Sequence, residues 1–595
     1  MIHLISLNEL VVPRFLVLAL LRRPVKVLRV APFVPRFGAT LQRLVDWAIR
    51  AGRAEYAIAL APELKRYWEF DRRFYFQEVF KKYEPWQNRY YGFARPQIAD
   101  DPVYGYAFKQ MTCSYTFWKV IEVYLLDAIA GKPETGTYRV HGVLADTLAL
   151  GRDLKGPDFA AGVAPMAYPK GVIRAGLMAL ALAFTLSWLV RRVRPRVIAE
   201  RIAVAFERLN DDREFELFNE IHDAGRFLLT YRSTQAFNSP MALPDAIDYV
   251  ACLRTDGLFG PADAMAAAVL AVRDVLQLGH RHREAPPALL YETLSLPFKR
   301  LLVRGLLNRY RPDCFIGRDE YNVDHILRRA ELRRLGIRSI GISNGLFPCF
   351  SSLAPNVRYV SYDVYYLYAA SLFTQYRDTW APDMTVRTIG TYSVRREKLA
   401  AVLGSGGDDI VFTIRVAWSE PEMVHMVRAV AEAFPERVVL VQFKEGFVSR
   451  EMSRQLIDRC SEGLANVVHT TENVYDLLDR AKYLVSDIST FVAEAIRSGM
   501  VTIVADLLDQ EFNCYRLFPG LCVAQAGELV EKLRALESGM ATYPRKKYFE
   551  LLDCQHGEIG YDLLRAEIGL SPQDAAARTG DRPRIGTRPR RRAAI

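Results

Sequence analysis

Metal-ligand patterns are scarce in this sequence, and their scarcity argues against a metalloprotein. The eight cysteines form no CxxC pair and have no histidine partners at zinc spacing, which favours buried thiols in a reducing compartment. No DxD sequence stands in a context that suggests a metal-held diphosphate, and no His, Asp and Glu residues cluster at ligand spacing. We therefore expect neither a metal site nor a bound cofactor.

Long apolar runs are also few. Residues 11–21 are interrupted by Arg14 and lack a small-residue cleavage site, so this run does not read as a secretory signal. Residues 175–190 are uncharged and apolar but fall short of the ~20 residues that span a bilayer. A core or interfacial helix is the favoured interpretation, and a span with positive-inside flanks is the alternative. The expected location is the cytoplasm, with a peripheral contact at the inner face of the cell membrane left open.

The length of 595 residues predicts two to four domains, and the net charge of +11 is unevenly distributed. Residues 571–595 hold seven arginines against two aspartates and no aromatic residue, which predicts a disordered basic tail. Such a tail either tethers the chain to anionic lipid or nucleic acid or is simply a solvated end. No specific nucleic-acid partner is expected.

The first half of the chain is the less regular part. Short strands are predicted at residues 1–7 and 25–30, and residues 67–91 are crowded with aromatic side chains. That aromatic-rich segment is typical of an amphipathic helix, with a stacking surface as the alternative. We assign residues 1–165 to the N-terminal part of a first Rossmann-like domain on the acceptor side. Residues 166–285 are assigned to a helical region that contains the apolar helix.

Strand–helix alternation dominates the second half, which predicts parallel sheets with right-handed crossovers. Residues 286–403 complete the first Rossmann-like domain, and the Gly- and Asp-rich stretch at 404–409 is the linker. Residues 404–540 form a second such domain, with helices at 421–434, 449–461, 474–481 and 490–498. A C-terminal helix follows at 541–570. The predicted fold class is α/β, with two tandem Rossmann-like doubly wound domains (GT-B-like), a helical insertion and the disordered basic tail.

Polar residues follow the strands of the second domain, at the edge where ligands of open α/β sheets bind. They suit a nucleotide diphosphate. Arg415 and Lys444 would hold the phosphates, helped by His469, by the hydroxyls of Ser489 and Thr490 and by the helix N-terminus behind them. Glu494 would accept the ribose hydroxyls. Each residue alone is more often a solvated charge or a helix cap, and only their common edge favours the site.

Residues 483–501 (YLVSDISTFVAEAIRSGMV) resemble the nucleotide-binding helix of GT-B glycosyltransferases. The resemblance implies a phosphate role for Ser489 and Thr490, a ribose role for Glu494, and a diphosphate-binding pair in Arg415 and Lys444. Residues 341–348 (GISNGLFP) resemble the Gly-x-x-His-Gly-x-x-Pro turn of relatives that build surface polysaccharide and polyol-phosphate polymers. That resemblance places Asn344 and Gly345 in the acceptor cleft, with Asn344 standing where His is common.

An inverting sugar transfer needs a base that takes the acceptor proton, and three candidates follow the first predicted strand of the second half. They are, in order of preference, Asp319, Glu320 and His325. A retaining reaction would need no such base, and the carboxylates would then be helix caps.

The expected function is transfer of a sugar from a nucleotide-activated donor to a lipid-linked or polysaccharide acceptor, with contact to a membrane surface. Two alternatives stay open within the same fold: a polyol-phosphate transferase that uses a CDP-alcohol, and a non-hydrolysing sugar-nucleotide epimerase. A third is a non-catalytic glycosyltransferase-like binding or scaffold protein, which the Asn344 departure keeps open.

Overall fold

The structure is a computed structural model that describes most of the chain. The described residues are 2–28, 35–56, 102–130, 138–160, 162–207, 212–221, 225–231, 247–318, 322–345, 359–372, 380–381, 383–390, 392, 407–414, 420–443, 450–507, 513–555 and 560–570. The aromatic-rich segment at 67–91 and the Arg-rich tail at 571–595 lie outside them, so both expectations stay predictions.

The chain divides into two compact units. The first unit comprises Met1–Val193, Gly260–Leu301 and Ser352–Tyr359. The second unit comprises Arg194–Phe259, Leu302–Ser351 and Val360–Ile595. Each unit is therefore assembled from segments that are distant in sequence.

The first unit contains a four-stranded parallel sheet in the order β3-β2-β1-β4. Its strands are β1 (Ile2–Ser6), β2 (Val25–Leu28), β3 (Glu55–Tyr56) and β4 (Tyr138–His141). Its helices are α1 (Val12–Leu20), α2 (Pro35–Arg50), α3 (Pro102–Ala130) and α4 (Ala145–Lys155). The buried Glu122 of α3 accepts hydrogen bonds from Ser6 at the end of β1, from Lys119 (2.7 Å) and from Thr147 of α4 (3.3 Å). This polar network holds α3 and α4 against the end of β1.

A helical layer completes the first unit. It consists of α5 (Lys170–Val190), α7 (Pro261–Arg281), α8 (Pro287–Leu294) and the start of α9 (Leu296–Arg309). Phe298 of α9 packs edge-to-face against Phe184 and Trp188 of α5, with ring centroids 4.6 and 5.5 Å apart. The predicted helical insertion is present here, and α5 begins five residues earlier than the uncharged run.

The second unit begins with a seven-stranded parallel sheet in the order β11-β10-β9-β8-β5-β6-β7. Its strands are β5 (Glu200–Phe206), β6 (Phe227–Tyr231), β7 (Tyr249–Cys252), β8 (Tyr310–Gly317), β9 (Arg338–Ile342), β10 (Val364–Leu367) and β11 (Thr385–Thr388). Helices α6 (Asp212–Ile221) and α10 (Asp324–Arg334) follow β5 and β8. The strand order reverses between β5 and β8, which makes that position the topological switch point of the sheet.

A six-stranded parallel sheet follows in the order β14-β13-β12-β15-β16-β17. The strands are β12 (Asp409–Ile414), β13 (Val439–Phe443), β14 (Val467–Thr470), β15 (Ala481–Ser486), β16 (Val501–Ala505) and β17 (Cys522–Val523). Counted along the chain this is the 3-2-1-4-5-6 order of dinucleotide-binding folds. The strands are buried on both faces, as parallel strands between helices must be, and their helices are α11 (Glu420–Ala433), α12 (Arg450–Ser461), α13 (Thr490–Arg497) and α14 (Ala526–Glu537).

The two sheets of the second unit share an apolar core. Val492 and Ile496 of α13 belong to the same buried cluster as Ile316 and Tyr365 of the seven-stranded sheet. The C-terminal helices α15 (Arg545–Leu551) and α16 (Gly560–Glu567) join that cluster through side chains that include Phe549 and Leu564. The expected C-terminal helix at 541–570 is therefore two helices, and they pack on both sheets.

Two assignments differ from the sequence prediction. Residues 1–165 do not contribute to the seven-stranded sheet, because their strands form a separate sheet in the first unit. Strands β5, β6 and β7 fill those places instead, from a region that was assigned to helices. The helix expected at 474–481 is replaced by turns, which allow the chain to enter β15 at Ala481. Strands β8 to β16 lie where the alternation predicts them, whereas β17 was not predicted.

Candidate functional site

The carboxyl edge of the six-stranded sheet has its switch point between β12 and β15. Thr413 pairs with Ser486 in register, and the Ser486 hydroxyl and the Asp487 amide both donate to the Thr413 carbonyl at 3.4 Å. The end of β12 and the polar turn after β15 therefore lie side by side. Ligands of open α/β sheets bind at this position.

The turn after β15 continues directly into α13, and Ser489 is the N-cap residue. Its backbone is extended (φ −145°, ψ 149°), and its hydroxyl accepts a hydrogen bond from the Phe491 amide at 3.3 Å. Tyr515 donates to the Ser489 carbonyl at 2.5 Å and holds the turn in place. The helix ends at Gly499, whose φ of +84° is the left-handed conformation that favours glycine after a helix. The amides of the first turn of α13, including that of Thr490, thus lie at the switch point.

Glu494 lies in the second turn of α13 and connects three segments. Its carboxylate is 1% exposed and accepts hydrogen bonds from the hydroxyls of Tyr368 at 2.7 Å and Tyr475 at 2.6 Å. Tyr368 directly follows β10 of the seven-stranded sheet, and Tyr475 lies in the turns after β14. The carboxyl edges of the two sheets therefore meet at this carboxylate, and each oxygen of Glu494 accepts a hydrogen bond from one tyrosine hydroxyl.

Of the three basic candidates at this edge, the structure describes only His469. Arg415 and Lys444 directly follow β12 and β13 in sequence, and both lie outside the described residues. His469 lies in β14, 5.8 Å from the Phe443 ring between centroids, and partial burial lowers its pKa. The lowered pKa favours the neutral form of the His469 imidazole.

The carboxyl edge of the seven-stranded sheet carries two buried ion pairs at its own switch point. Glu207, after β5, pairs with Arg328 of α10 through contacts of 3.1 and 3.3 Å. Glu214 of α6 pairs with Arg318, after β8, at 3.1 Å. A cavity of about 10 Å³, the size of one water molecule, lies beside Glu207, Glu214 and Arg318.

The Glu207–Arg328 pair depends on a close approach of the backbone. A Cβ atom at Gly317 would lie 2.7 Å from Nη2 of Arg328 and 3.1 Å from Oε2 of Glu207, so the pair needs glycine there. Burial acts to lower the pKa of Arg328, but the charge of Glu207 outweighs it and the pKa is raised. The raised pKa keeps Arg328 charged throughout the physiological range.

The candidate catalytic and acceptor residues occupy different positions at this edge. His325 is buried in α10 with its ring stacked on Tyr362 at 5.3 Å, so it does not face an open cleft as expected. Asn344 follows β9 and donates from Nδ2 to the Arg318 carbonyl, which joins the ends of β8 and β9. The carbonyl of Gly345 accepts from the Ser343 hydroxyl at 2.6 Å. Asp319 and Glu320 lie outside the described residues.

Sequence reasoning did not identify Glu207, Glu214, Arg318 or Tyr368 as site residues. A signal for Glu207 was available, because the apolar stretch at residues 202–206 runs directly into it in the manner of a buried strand. Tyr368 had no such signal, since its contact with Glu494 spans 126 positions of sequence. Among the residues that the structure describes, no three His, Cys, Asp or Glu side chains are grouped to hold a metal ion, and metal independence stays a prediction.

Two tandem doubly wound parallel sheets, in contact through Tyr368 and Glu494 at their carboxyl edges, define an α/β protein with two Rossmann-like domains. No protein-family model and no curated protein matches the sequence.

Several solved structures are similar to this chain at very low identity. The UDP-GlcNAc 2-epimerase from Neisseria meningitidis bound to UDP-GlcNAc is 10% identical, with 62% of this chain and 99% of that chain covered and a TM-score of 0.38. The wall teichoic acid polymerase TagF is 10% identical over 67% and 96% of the two chains, with a TM-score of 0.36. A UDP-glucosyltransferase from Polygonum tinctorium is 13% identical over 62% and 98%, also with a TM-score of 0.36. At such scores these similarities do not define an activity.

Proposed function

We propose that this protein is a glycosyltransferase that binds a nucleotide-activated sugar at the carboxyl edge of the six-stranded sheet. The observation that carries the proposal is the switch point between β12 and β15, where the turn that leads into α13 lies beside the end of β12. Helix N-termini at such a position favour phosphate through their free amides and dipole. Arg415, directly after β12, is placed by sequence to add a bidentate contact.

The remaining donor contacts follow from the same edge. Lys444, after β13, would add a second positive charge, and the hydroxyls of Ser489 and Thr490 would contact the phosphates. Positive side chains and helix amides together offset the diphosphate charge, so the proposed reaction uses no metal ion and no cofactor. Glu494 would accept hydrogen bonds from the ribose hydroxyls, and one of these would replace the hydrogen bond that it accepts from the Tyr475 hydroxyl.

The acceptor is proposed to bind over the seven-stranded sheet, as a lipid-linked or polysaccharide chain. Arg318 and Asn344 lie at its carboxyl edge, where Arg318 is held by Glu214. The Asn344 amide suits the hydroxyl groups of such acceptors, and the buried Arg318–Glu214 pair fixes the end of β8 against α6. Asp319 and Glu320 are the proposed bases, because they directly follow Arg318, whereas the buried His325 is a poorer candidate.

Isothermal titration with UDP, GDP, CDP and CMP, and with their sugar conjugates, tests the proposal. One of these ligands should bind the intact protein, and Arg415→Ala should weaken that binding about tenfold or more, since a hydrogen bond to a charged group contributes about 1.5–3 kcal/mol. Arg480→Ala is the matched control: Arg480 directly precedes β15, at the amino edge of the same sheet, and pairs with Asp409 at 3.1 Å.

The two variants separate the outcomes. Loss of binding in Arg415→Ala with full binding in Arg480→Ala supports the site. The proposal fails if the folded protein binds none of these ligands, or if both variants bind as tightly as the wild type. Turnover of a CDP-alcohol without any sugar transfer would identify a polyol-phosphate transferase instead.

A further inference from the structure

The helix α5 of the first unit is apolar on its exposed side. It has 21 residues and a mean hydropathy of 1.8 over its most apolar window, long and apolar enough by composition to cross a membrane. Only 17% of that window is buried, so α5 is not the core helix of a soluble domain. Val172 and Val190, near its two ends, are 71% and 72% exposed.

The neighbouring helix α7 extends this apolar surface. Met265 (69% exposed), Val269 (62% exposed) and Leu276 lie on one helical face, four and seven residues apart. The opposite face of α7 is buried and mostly apolar, and its one buried carboxylate, Asp274, accepts a hydrogen bond from Tyr104 at 2.9 Å. We call the exposed side of α5 and α7 the apolar face, and define it by the side chains Val172, Val190, Met265, Val269 and Leu276.

The packing of α5 favours a position on a membrane rather than through it. Its other side packs on two helices named by their contacts: Phe184 and Trp188 pack on Phe298 of α9, and Met178 packs on Gly279 of α7, where a Cβ would lie 2.5 Å from the Met178 sulfur. A spanning helix would have to leave these contacts. A helix with one packed side and one exposed apolar side lies in the plane of the membrane interface.

Charge at the ends of α5 identifies the kind of surface. The helix contains no acidic residue, and Lys170, Arg174 and the following Arg191 place positive charge at both ends. The head group of Arg191 donates to the Ser187 hydroxyl at 2.7 Å and stays exposed. Cations that flank an apolar face match a surface of anionic lipid head groups.

Exposed apolar side chains are concentrated in the first unit as a whole. Eleven of the seventeen exposed large hydrophobic residues among the described positions belong to it. Helix α1 shows the same combination, because Val17, Leu20 and Leu21 are exposed beside Arg22 and Arg23. The second unit, which carries the proposed nucleotide site, has far fewer.

We propose that the apolar face of α5 and α7 binds in the plane of an anionic lipid bilayer, which makes the first unit the membrane-binding part of the protein. This proposal is independent of the proposed sugar transfer, since it concerns different residues and a different unit. Membrane binding also supports the proposal of a lipid-linked acceptor, because the protein would then lie at the surface that contains such acceptors.

Co-sedimentation of the full chain with vesicles of phosphatidylcholine, with and without phosphatidylglycerol, tests the proposal. The protein should bind the anionic vesicles more tightly, and added salt should weaken the binding. Val172→Glu combined with Met265→Glu should lower the partition coefficient at least about tenfold, since two exposed apolar side chains lose their burial in lipid. Met540→Glu is the matched control, because Met540 of the second unit is 80% exposed.

Thermal unfolding and nucleotide titration of the same variants show whether they are folded. Equal vesicle binding by the double variant and the wild type overturns the proposal. Two further results also overturn it: a dimer that the double variant converts to monomers, which would assign the face to a second copy, and retention in vesicles after carbonate extraction, which would assign α5 to a membrane span.

Discussion

At the scale of single residues, Glu494 joins the two sheets through hydrogen bonds and also lies where a residue that binds ribose is expected. Its two oxygens accept hydroxyls from Tyr368 of one sheet and Tyr475 beside the other. Tyr368 is fully buried and belongs to the shared core, whereas Tyr475 is only partly buried. The Tyr475 hydroxyl is therefore the group that a ribose hydroxyl would replace.

Tyr475→Phe tests this replacement. The variant removes the hydroxyl that competes with ribose for Glu494. The nucleotide that binds best in the titrations should therefore bind several-fold more tightly, and its 2′-deoxy form should gain less affinity. Stability should fall by about 1.5–3 kcal/mol, since a buried carboxylate oxygen loses its donor. Tyr548→Phe is the control, because the hydroxyl of Tyr548 donates to the Pro519 carbonyl at 2.8 Å, away from Glu494. Unchanged affinities for both nucleotide forms would contradict the ribose role.

At the scale of elements, the amino edge of the seven-stranded sheet is held by an ion-pair cluster. Asp363, just before β10, accepts from the Ser339 amide and hydroxyl of β9 at 2.9 Å each. It also accepts from Arg329 and Arg333 of α10 at 3.0 and 2.7 Å. Burial acts to raise the pKa of Asp363, but the hydrogen bonds from Ser339 and the two arginines outweigh it, and the pKa is lowered.

The lowered pKa makes acid stability depend on this cluster. A carboxyl group with a lowered folded-state pKa contributes stability above its unfolded value of 3.8, and that stability is lost as pH falls through the folded value. Asp363→Asn should therefore reduce the unfolding free energy at pH 7 by about 2 kcal/mol. It should also flatten the loss of stability below pH 4, measured by urea unfolding across pH. Asp458→Asn, at an exposed position of α12, is the control, and equal pH profiles for all three proteins would refute the cluster's role.

At the scale of the whole molecule, the strength of the local pattern decided what the sequence could predict. Strands such as β12 (DIVFTI) and β15 (AKYLVS) have short apolar centres and lie between helices, so their positions follow from the alternation. Strand β7 has only four residues, one of them exposed, and its place beside β6 comes from long-range pairing. For the same reason residues 1–165 formed plausible strands but were assigned to the wrong sheet.

The residues of the candidate site also fall into two groups: those whose positions the local sequence predicts, and those that depend on contacts distant in sequence. Ser489 and Thr490 were predictable because a cap sequence directly follows a strand and opens a helix. Glu207 and Arg318 were not identified, because their partners Arg328 and Glu214 are more than 100 positions away in sequence. The spacing of apolar side chains along the sequence indicates whether a segment is a helix or a strand. It does not indicate which two elements pack together.

Hydrogen–deuterium exchange of the full chain, with and without the best-binding nucleotide, tests the central claim most directly. A nucleotide at the switch point of the six-stranded sheet should slow exchange of the amides at residues 487–494, where the turn after β15 enters α13. Exchange in α6 and at residues 202–207 of the seven-stranded sheet should stay unchanged in the same experiment. Protection confined to the seven-stranded sheet, with none in α13, would contradict the account.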